Sequence, residues 1–188
     1  MRAARRRRRR LYIQESDQRS SERLKIKNYI SEEMNKQTNL SEHMTLAELC
    51  KTKTGIENVP NEEQVENLRR VCRWLERLRK RWNDKYGDGD DPIIINSGFR
   101  SAAVNKAVGG VPTSNHLTGC AVDIRCIGME QALRYAAILL DISDMSREDF
   151  DELLIEQKRS VVWIHFAVRP SGNRRRCIIN FLPKLFGI

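Results

Sequence analysis

The chain has 188 residues, of which 40% are apolar, and a formal net charge of +9. This length fits one domain with a tail, and the apolar fraction is sufficient for a hydrophobic core. Seven arginines lie within residues 1–10, and subtracting them from the net charge leaves only +2 for the remainder. The nearly balanced remainder argues against a nucleic-acid-binding body, and no apolar run approaches the roughly 20 residues of a membrane span.

Residues 1–40 are basic and polar, which predicts a flexible leader. Residues 41–188 have the mixture of apolar and polar residues that predicts a folded domain. An arginine-rich tail can contact phosphates or other anionic polymers. No aromatic residue interleaves with the arginines before Tyr12, and this favours a solvated leader over a nucleic-acid-binding arm. Polar residues follow the arginines where a secretory signal needs an apolar segment. We therefore expect synthesis in the cytoplasm, with any action outside the cell depending on another release route.

The five cysteines form no C-x-x-C pair, and their number is odd. Both features argue against a disulfide framework. We expect reduced and mostly buried thiols, as in proteins made in a cytoplasm.

Apolar residues at three- and four-residue steps predict a helix from Glu62 to about Tyr86, with Asn61 as its N-cap and Gln64 completing a capping box. Its apolar stripe consists of Val65, Leu68, Val71, Leu75, Leu78 and Trp82. The stretch "PIIIN" predicts a short buried strand, and "AVDIRC" predicts a second one. A second amphipathic helix is predicted over residues 129–140, with an apolar face of Met129, Leu133, Ala136 and Leu140.

Three further strands are predicted in "FDELLIE", "VVWIHFAV" and "RRRCIINFL", and "RPSGN" is expected to form the turn between the last two. Helices come first along the chain and strands cluster later. This order predicts an α+β fold with a mostly antiparallel sheet and helices packed on one side.

Alternate residues of a strand face opposite sides. In "AVDIRC", Val122 and Ile124 share an apolar face with the neighbouring thiols of Cys120 and Cys126, so Asp123 points to the other side. In "VVWIHFAV", the apolar face is formed by Val162, Ile164, Phe166 and Val168, and Trp163 and His165 lie opposite it. Each strand therefore presents one potential metal ligand away from the core, whereas the two thiols are not expected to bind metal.

His116 precedes Asp123 by seven residues, and the intervening "LTG" allows the chain to turn back. Two histidines and one carboxylate with an open fourth position are typical of a catalytic zinc site. The spacing leaves an alternative open, in which the histidines are packed residues and Asp123 pairs with Arg100 or Arg125. The third histidine, His43, has no partner in its segment and is expected to be structural.

Three ordered motifs carry a family resemblance: "SGFR" at residues 97–100, "SNHLTGCAVD" at 114–123 and "WIH" at 163–165. Across about residues 40–182 the chain resembles the zinc D-alanyl-D-alanine carboxypeptidases. That group includes the vancomycin-resistance dipeptidases and phage endolysins, and it shares its zinc scaffold with the Hedgehog signalling domain. The resemblance implies a Hedgehog-like peptidase fold and a zinc ion, Zn2+, held by His116, Asp123 and His165.

The same resemblance implies a catalytic base. Many family members carry a glutamate three residues before the last histidine, where this chain has Val162. Hedgehog domains instead have a glutamate at the end of F-D-x-x-x-x-E, and Glu156 of "FDELLIE" matches it. Glu152 is the alternative candidate for the base, because a hairpin with the four-residue loop "QKRS" would place Glu152 directly opposite His165.

The family pattern also implies that Arg100 faces the substrate carbonyl and that Ser114 lies near the substrate. The alternatives are an Arg100–Asp123 salt bridge and a capping role for the Ser114 hydroxyl. Trp163 shares the face of His165 and is expected to wall the cleft or to pack as an aromatic residue.

The sequence thus predicts a zinc metallopeptidase that hydrolyses stem-peptide amide bonds of peptidoglycan, as a carboxypeptidase or as a phage or prophage endolysin. Two other functions stay open. The departure at Val162 is the reason to keep a non-catalytic binding protein built on the metal scaffold as an alternative, and the arginine-rich tail is the reason to keep a nucleic-acid binder, the less favoured interpretation of that tail.

Overall fold

The computed structural model describes residues 38–181, so the predicted leader over residues 1–40 lies almost wholly outside the described residues. Within residues 38–181 the elements follow one another along the chain as α1 (Leu46–Leu49), α2 (Glu62–Lys85), β1 (Ile95–Ser97), α3 (Ala102–Ala107), a 3-10 helix (Asn115–Thr118), β2 (Ala121–Cys126), α4 (Gly128–Ser146), β3 (Glu152–Lys158), β4 (Val161–Ala167) and β5 (Arg176–Phe181).

The strands of this region form one mixed sheet in the order β1-β2-β4-β3-β5. Strand β2 pairs antiparallel with β1 and β4, and β3 pairs antiparallel with β4, but β5 runs parallel to β3. The α+β class is confirmed, and the expectation of a mostly antiparallel sheet is wrong. The reason is that residues 168–175 do not form a hairpin turn. They carry the chain from β4 past the start of β3, so β5 joins the far edge.

One face of the sheet packs against helices to form the hydrophobic core. The side chains of Val122, Ile124, Ile164 and Phe166, which alternate along β2 and β4, are fully buried in it. Helix α4 packs across β2, β3 and β4, and α2 packs against α4. Trp74 of α2 contacts the ring of Phe166 with ring centroids 5.4 Å apart. Since both long helices belong to this core, the opposite face of the central strands is left for polar side chains.

Helix α2 begins where its capping residues place it. The Asn61 side chain accepts a hydrogen bond from the Gln64 backbone N–H at 2.9 Å, and the Gln64 side chain accepts one from the Asn61 N–H at 2.8 Å. These two bonds satisfy amide groups that the first helical turn leaves unpaired. The predicted helix and its capping box are confirmed.

All five cysteines are free thiols, and three of them are buried. None of the helices between residues 38 and 181 is both long and apolar enough to cross a bilayer.

The crossing segment between β4 and β5 is fastened by a buried carboxylate. Asp151 is fully buried. It accepts a hydrogen bond from Arg174 Nε at 2.8 Å and another from Asn115 Nδ2 at 2.9 Å. It also forms an ion pair with Arg169 at 2.9 Å. Burial raises the pKa of Asp151, but the bonds from Arg174 and Asn115 outweigh it and hold the pKa below its usual range. A buried carboxylate with fewer partners would be far more costly.

We expect Asp151→Asn to lower the free energy of unfolding by about 1–3 kcal/mol near pH 7, because it leaves buried donors without their charged acceptor. The pKa of Asp151 is lower in the folded protein than its unfolded value of about 4. The stabilisation by the ionised carboxylate is therefore fully present above pH 4 and is lost as the pH falls through the folded-state pKa. Denaturant unfolding of both proteins between pH 3 and pH 8 checks this. A difference that grows on acidification would contradict it.

Candidate metal centre

The structure brings together the side chains of His116, Asp123 and His165. His116 Nε2 lies 3.2 Å and His165 Nδ1 lies 3.0 Å from the same oxygen, Asp123 Oδ1. One potential ligand atom from each of the three lies within 4.8 Å of the others. Their role as zinc ligands follows from the resemblance and stays a prediction, which the geometry supports.

The register between β2 and β4 sets the first pair. Asp123 and His165 are directly opposite each other in the antiparallel ladder, where Cβ atoms are about 5 Å apart. Both side chains point away from the hydrophobic core. The sequence pattern predicts this face, because alternation along each strand is enough to assign it.

His116 reaches the pair from the 3-10 helix, whose end is held by α2. Gln64 Nε2 and Asn67 Nδ2 each donate to a carbonyl of this segment at 2.9 Å, the first to Leu117 and the second to Thr118. Gly119 then turns the chain into β2 with φ of 72°. A Cβ at Gly119 would lie 2.5 Å from the Gln64 carbonyl oxygen, so the close approach of helix and loop requires glycine.

A backbone carbonyl fixes the proton of His116. Its Nδ1 lies 2.6 Å from the Gly98 oxygen, and because a carbonyl can only accept, Nδ1 carries the hydrogen. The nitrogen that contacts Asp123, and that could bind a metal, is therefore Nε2. Metal-bound histidines usually donate their other N–H in this way.

The two oxygens of Asp123 face different partners. Oδ2 accepts from the Arg100 guanidinium, and Oδ1 faces the two imidazoles. The Asp123 residue is 9% exposed. Burial raises its pKa, but His116 and His165 have the larger combined effect and hold the pKa well below its usual range. The alternative Arg100–Asp123 pairing thus exists together with the three-residue cluster rather than instead of it.

His165 lies between two carboxylates. Burial lowers its pKa, whereas Asp123 and Glu152 raise it, to about 9. The ring therefore holds a proton at neutral pH when no cation is present. A divalent metal would replace the second ring proton, because a histidine ligand must be neutral.

The donor set suits zinc. Two imidazoles and one carboxylate leave a coordination position open, as in catalytic rather than structural zinc sites. Cys120 and Cys126 are 2% and 7% exposed, and neither belongs to the cluster of His116, Asp123 and His165.

The cluster lies in a cleft of about 710 Å3. The remaining predicted site residues also line it, namely Arg100, Ser114, Glu156 and Trp163. Arg100 Nε donates to Ser97 Oγ at 2.8 Å. Ser114 Oγ accepts from the His116 N–H at 3.3 Å, so the hydroxyl caps the 3-10 helix. The Trp163 indole donates to Glu156 Oε2 at 2.8 Å, which holds this carboxylate in the cleft.

The hairpin register differs from the predicted one by two residues. The turn contains only Arg159 and Ser160, because Lys158 already pairs with Val161. Leu154 therefore lies opposite His165, Glu156 opposite Trp163 and Glu152 opposite Ala167. The expectation that Glu152 lies directly opposite His165 is wrong. A shift of two preserves the face, so both glutamates still line the cleft.

His43 lies outside this cleft. Its Nδ1 is 2.8 Å from Glu76 Oε2 of α2, and Ser41 Oγ donates to the other oxygen of Glu76 at 2.6 Å. These bonds fasten residues 41–43 to α2, which is the structural role expected for His43.

Sequence comparison gives two matches. The sequence model of the family described as Peptidase M15 matches residues 38–165. The zinc D-Ala-D-Ala carboxypeptidase of Streptomyces albus G is 45% identical over 40 residues, which are 21% of this chain and 16% of that protein. The match thus spans less than a fifth of the relative's length. Together the two matches confirm the resemblance found in the motifs and the prediction of Zn2+ as the metal.

We expect His116→Ala and His165→Ala each to weaken zinc binding by at least about 100-fold, because losing a ligand costs more than losing an outer hydrogen-bond partner. Competition with a chromogenic chelator measures the affinity. His43→Ala is the matched control, since it removes the third histidine and leaves the cleft intact. Equal zinc affinities of the His165→Ala and His43→Ala proteins would contradict the assignment.

Proposed function

The chain belongs to the peptidase M15 family, and we propose that it is a zinc-dependent peptidase that hydrolyses amide bonds in the stem peptides of peptidoglycan. The observation that carries the proposal is the cluster of His116, Asp123 and His165 in a cleft that also contains the carboxylate of Glu156. When bound, zinc supplies a Lewis acid that polarises a carbonyl and lowers the pKa of water.

Glu156 is the proposed general base. The indole of Trp163 occupies its Oε2, and its Oε1 can accept a proton from the attacking water and pass it to the leaving amine. Glu152 is poorly suited to this task. The contact with His165 outweighs the opposing effect of burial, and the Arg174 charge also contributes, lowering the pKa of Glu152 to about 2. Both of its oxygens also accept hydrogen bonds already, Oε1 from Arg174 and Arg176 and Oε2 from Asn115, which leaves Glu152 less available to take a proton from water.

The strand positions support a base on β3. Val162, which stands where many relatives carry their glutamate, is on the core face of β4 and 3% exposed. A carboxylate at this position would point away from the cleft and into apolar surroundings. Apart from Asp123, the carboxylates that line the cleft come from the neighbouring strand β3, where Glu156 is available.

Arg100 is the proposed partner of the substrate carbonyl. Two of its five N–H groups are used by Ser97 and Asp123, and the others can donate to the oxygen on which negative charge develops. Ser114 and Trp163 are the proposed substrate contacts. The Ser114 hydroxyl accepts from the backbone and keeps its own proton for a substrate acceptor.

The substrate class rests on resemblance. The Streptomyces albus G relative is a zinc D-Ala-D-Ala carboxypeptidase by name, and the motifs resemble those of phage endolysins. We therefore place the action of this protein at the bacterial cell wall, after synthesis in the cytoplasm. A lysis enzyme of phage or prophage origin, released by another protein, fits this assignment.

A non-catalytic binding role is the second candidate, and the valine at position 162 is the observation that favours it. The two candidates differ in whether Glu156 is needed for turnover. Binding of stem peptides without cleavage would support the second one.

We expect the wild-type protein to release new peptide termini from purified peptidoglycan, and Glu156→Gln to lower this rate by about 100- to 10,000-fold, the usual contribution of a general base. Mass spectrometry of the digested muropeptides identifies the bond and measures the rate. Zinc affinity is expected to be unchanged by the substitution.

Glu130→Gln is the matched control, because Glu130 is an exposed carboxylate of α4 that pairs with Arg134. Cleavage by the wild type that persists after a chelator has removed zinc would refute the zinc mechanism. Full activity of Glu156→Gln would remove Glu156 as the base.

A further inference from the structure

Glu152 lies behind His165, on the side away from Asp123. His165 faces Asp123 with Nδ1 and Glu152 with Nε2, and the Glu152 Oε2 atom is 3.5 Å from Nε2. The Glu152 side chain is 14% exposed. The two nitrogens of one imidazole are thus assigned to two different carboxylates.

The other contacts of Glu152 hold it as an anion in a fixed position. Its Oε1 accepts from Arg174 Nη2 at 2.9 Å and from Arg176 Nη1 at 3.1 Å. Arg176 is opposite Glu152 in the parallel ladder between β3 and β5. The parallel pairing of β5, which the sequence did not predict, therefore brings a positive charge next to Glu152, on the outer side of the His116, Asp123 and His165 cluster.

Glu152 also contacts the segment that carries His116. The Asn115 side chain donates to Glu152 Oε2 at 3.2 Å and to Asp151 Oδ2 at 2.9 Å. Glu152 Oε2 thereby contacts both His165 and Asn115, the residue that precedes His116. Movement of Glu152 would disturb both sides of the cluster.

These contacts have a direct consequence for metal binding. A histidine that binds metal through Nδ1 must carry its proton on Nε2, and a carboxylate at Nε2 holds the proton there and increases the basicity of the ligand nitrogen. The Gly98 carbonyl does the corresponding task for His116.

We propose that Glu152 is a positioning residue for the metal site, which orients His165 and strengthens zinc binding, and that Arg176 and Arg174 serve the site by holding Glu152. This inference rests on the proposed function only in taking His165 as a zinc ligand. It assigns Glu152 no proton transfer in the reaction.

The test measures zinc affinity directly, by chelator competition, and separately measures kcat at saturating zinc. We expect Glu152→Ala to weaken zinc binding by about 10- to 100-fold, the usual effect of losing an outer-sphere partner, while kcat at saturating zinc changes much less. Glu152→Gln keeps an acceptor for the Nε2 proton and is expected to lose less affinity than Glu152→Ala.

Arg176→Ala provides a variant that leaves Glu152 in place, and we expect a smaller loss of zinc affinity of the same sign. Arg175→Ala is its matched control, because the neighbouring arginine pairs with Asp144, away from the cleft. Arg175→Ala is expected to bind zinc like the wild type.

Unchanged zinc affinity in Glu152→Ala would overturn the proposal. A collapse of kcat at saturating zinc with unchanged affinity would also overturn it, and would make Glu152 the base. If Glu152→Ala fails to fold, Arg176→Ala decides, and affinity equal to that of Arg175→Ala overturns the proposal. Failure of the proposed function is distinguishable, since it appears as peptidoglycan that the wild type leaves intact, whatever the zinc affinities.

Discussion

The site depends on one buried carboxylate. Asp123 lies in the second strand of the sheet, where an unpaired charge would be expensive, and it is 9% exposed. Its two oxygens are compensated from different directions, one by Arg100 and the other by the two imidazoles. Once the β2–β4 register is set, this buried carboxylate requires positive charge in the cleft, which a divalent cation would supply more fully than a proton on His165.

A second layer of contacts holds the three side chains in place. Each histidine has a partner on its far nitrogen, the Gly98 carbonyl for His116 and the Glu152 carboxylate for His165. The layer reaches well beyond the cleft, because α2 holds the 3-10 helix through Gln64 and Asn67. Helix α2, the 3-10 helix and the central strands of the sheet therefore all contribute to the positions of these three side chains.

The sequence alone predicts the parts of this arrangement that depend on local periodicity. Alternation along β2 and β4 assigns Asp123 and His165 to one face, and the capping box locates the start of α2. Helix α4 shows where local patterns become ambiguous. Residues 136–142 are almost all apolar and offer several faces, so Leu133 was expected to be buried but is 48% exposed, whereas Ala132 is fully buried.

Long-range pairings are the parts that the sequence does not reveal. The two-residue turn at Arg159 and Ser160 shifts the hairpin register, and this shift decides which glutamate is opposite which residue. The parallel placement of β5 accompanies ion pairs of Arg169 and Arg174 with Asp151, which are 18 and 23 residues distant along the chain. No local pattern indicates these partners, yet they bring Arg174 and Arg176 to Glu152.

The ligands of the metal can be identified directly by X-ray absorption spectroscopy of the zinc-loaded protein at the zinc edge. The proposed site predicts a first shell of nitrogen and oxygen only, at about 2.0–2.2 Å, with scattering from two imidazole rings. A sulfur atom at about 2.3 Å, or a first shell without imidazole, would contradict it.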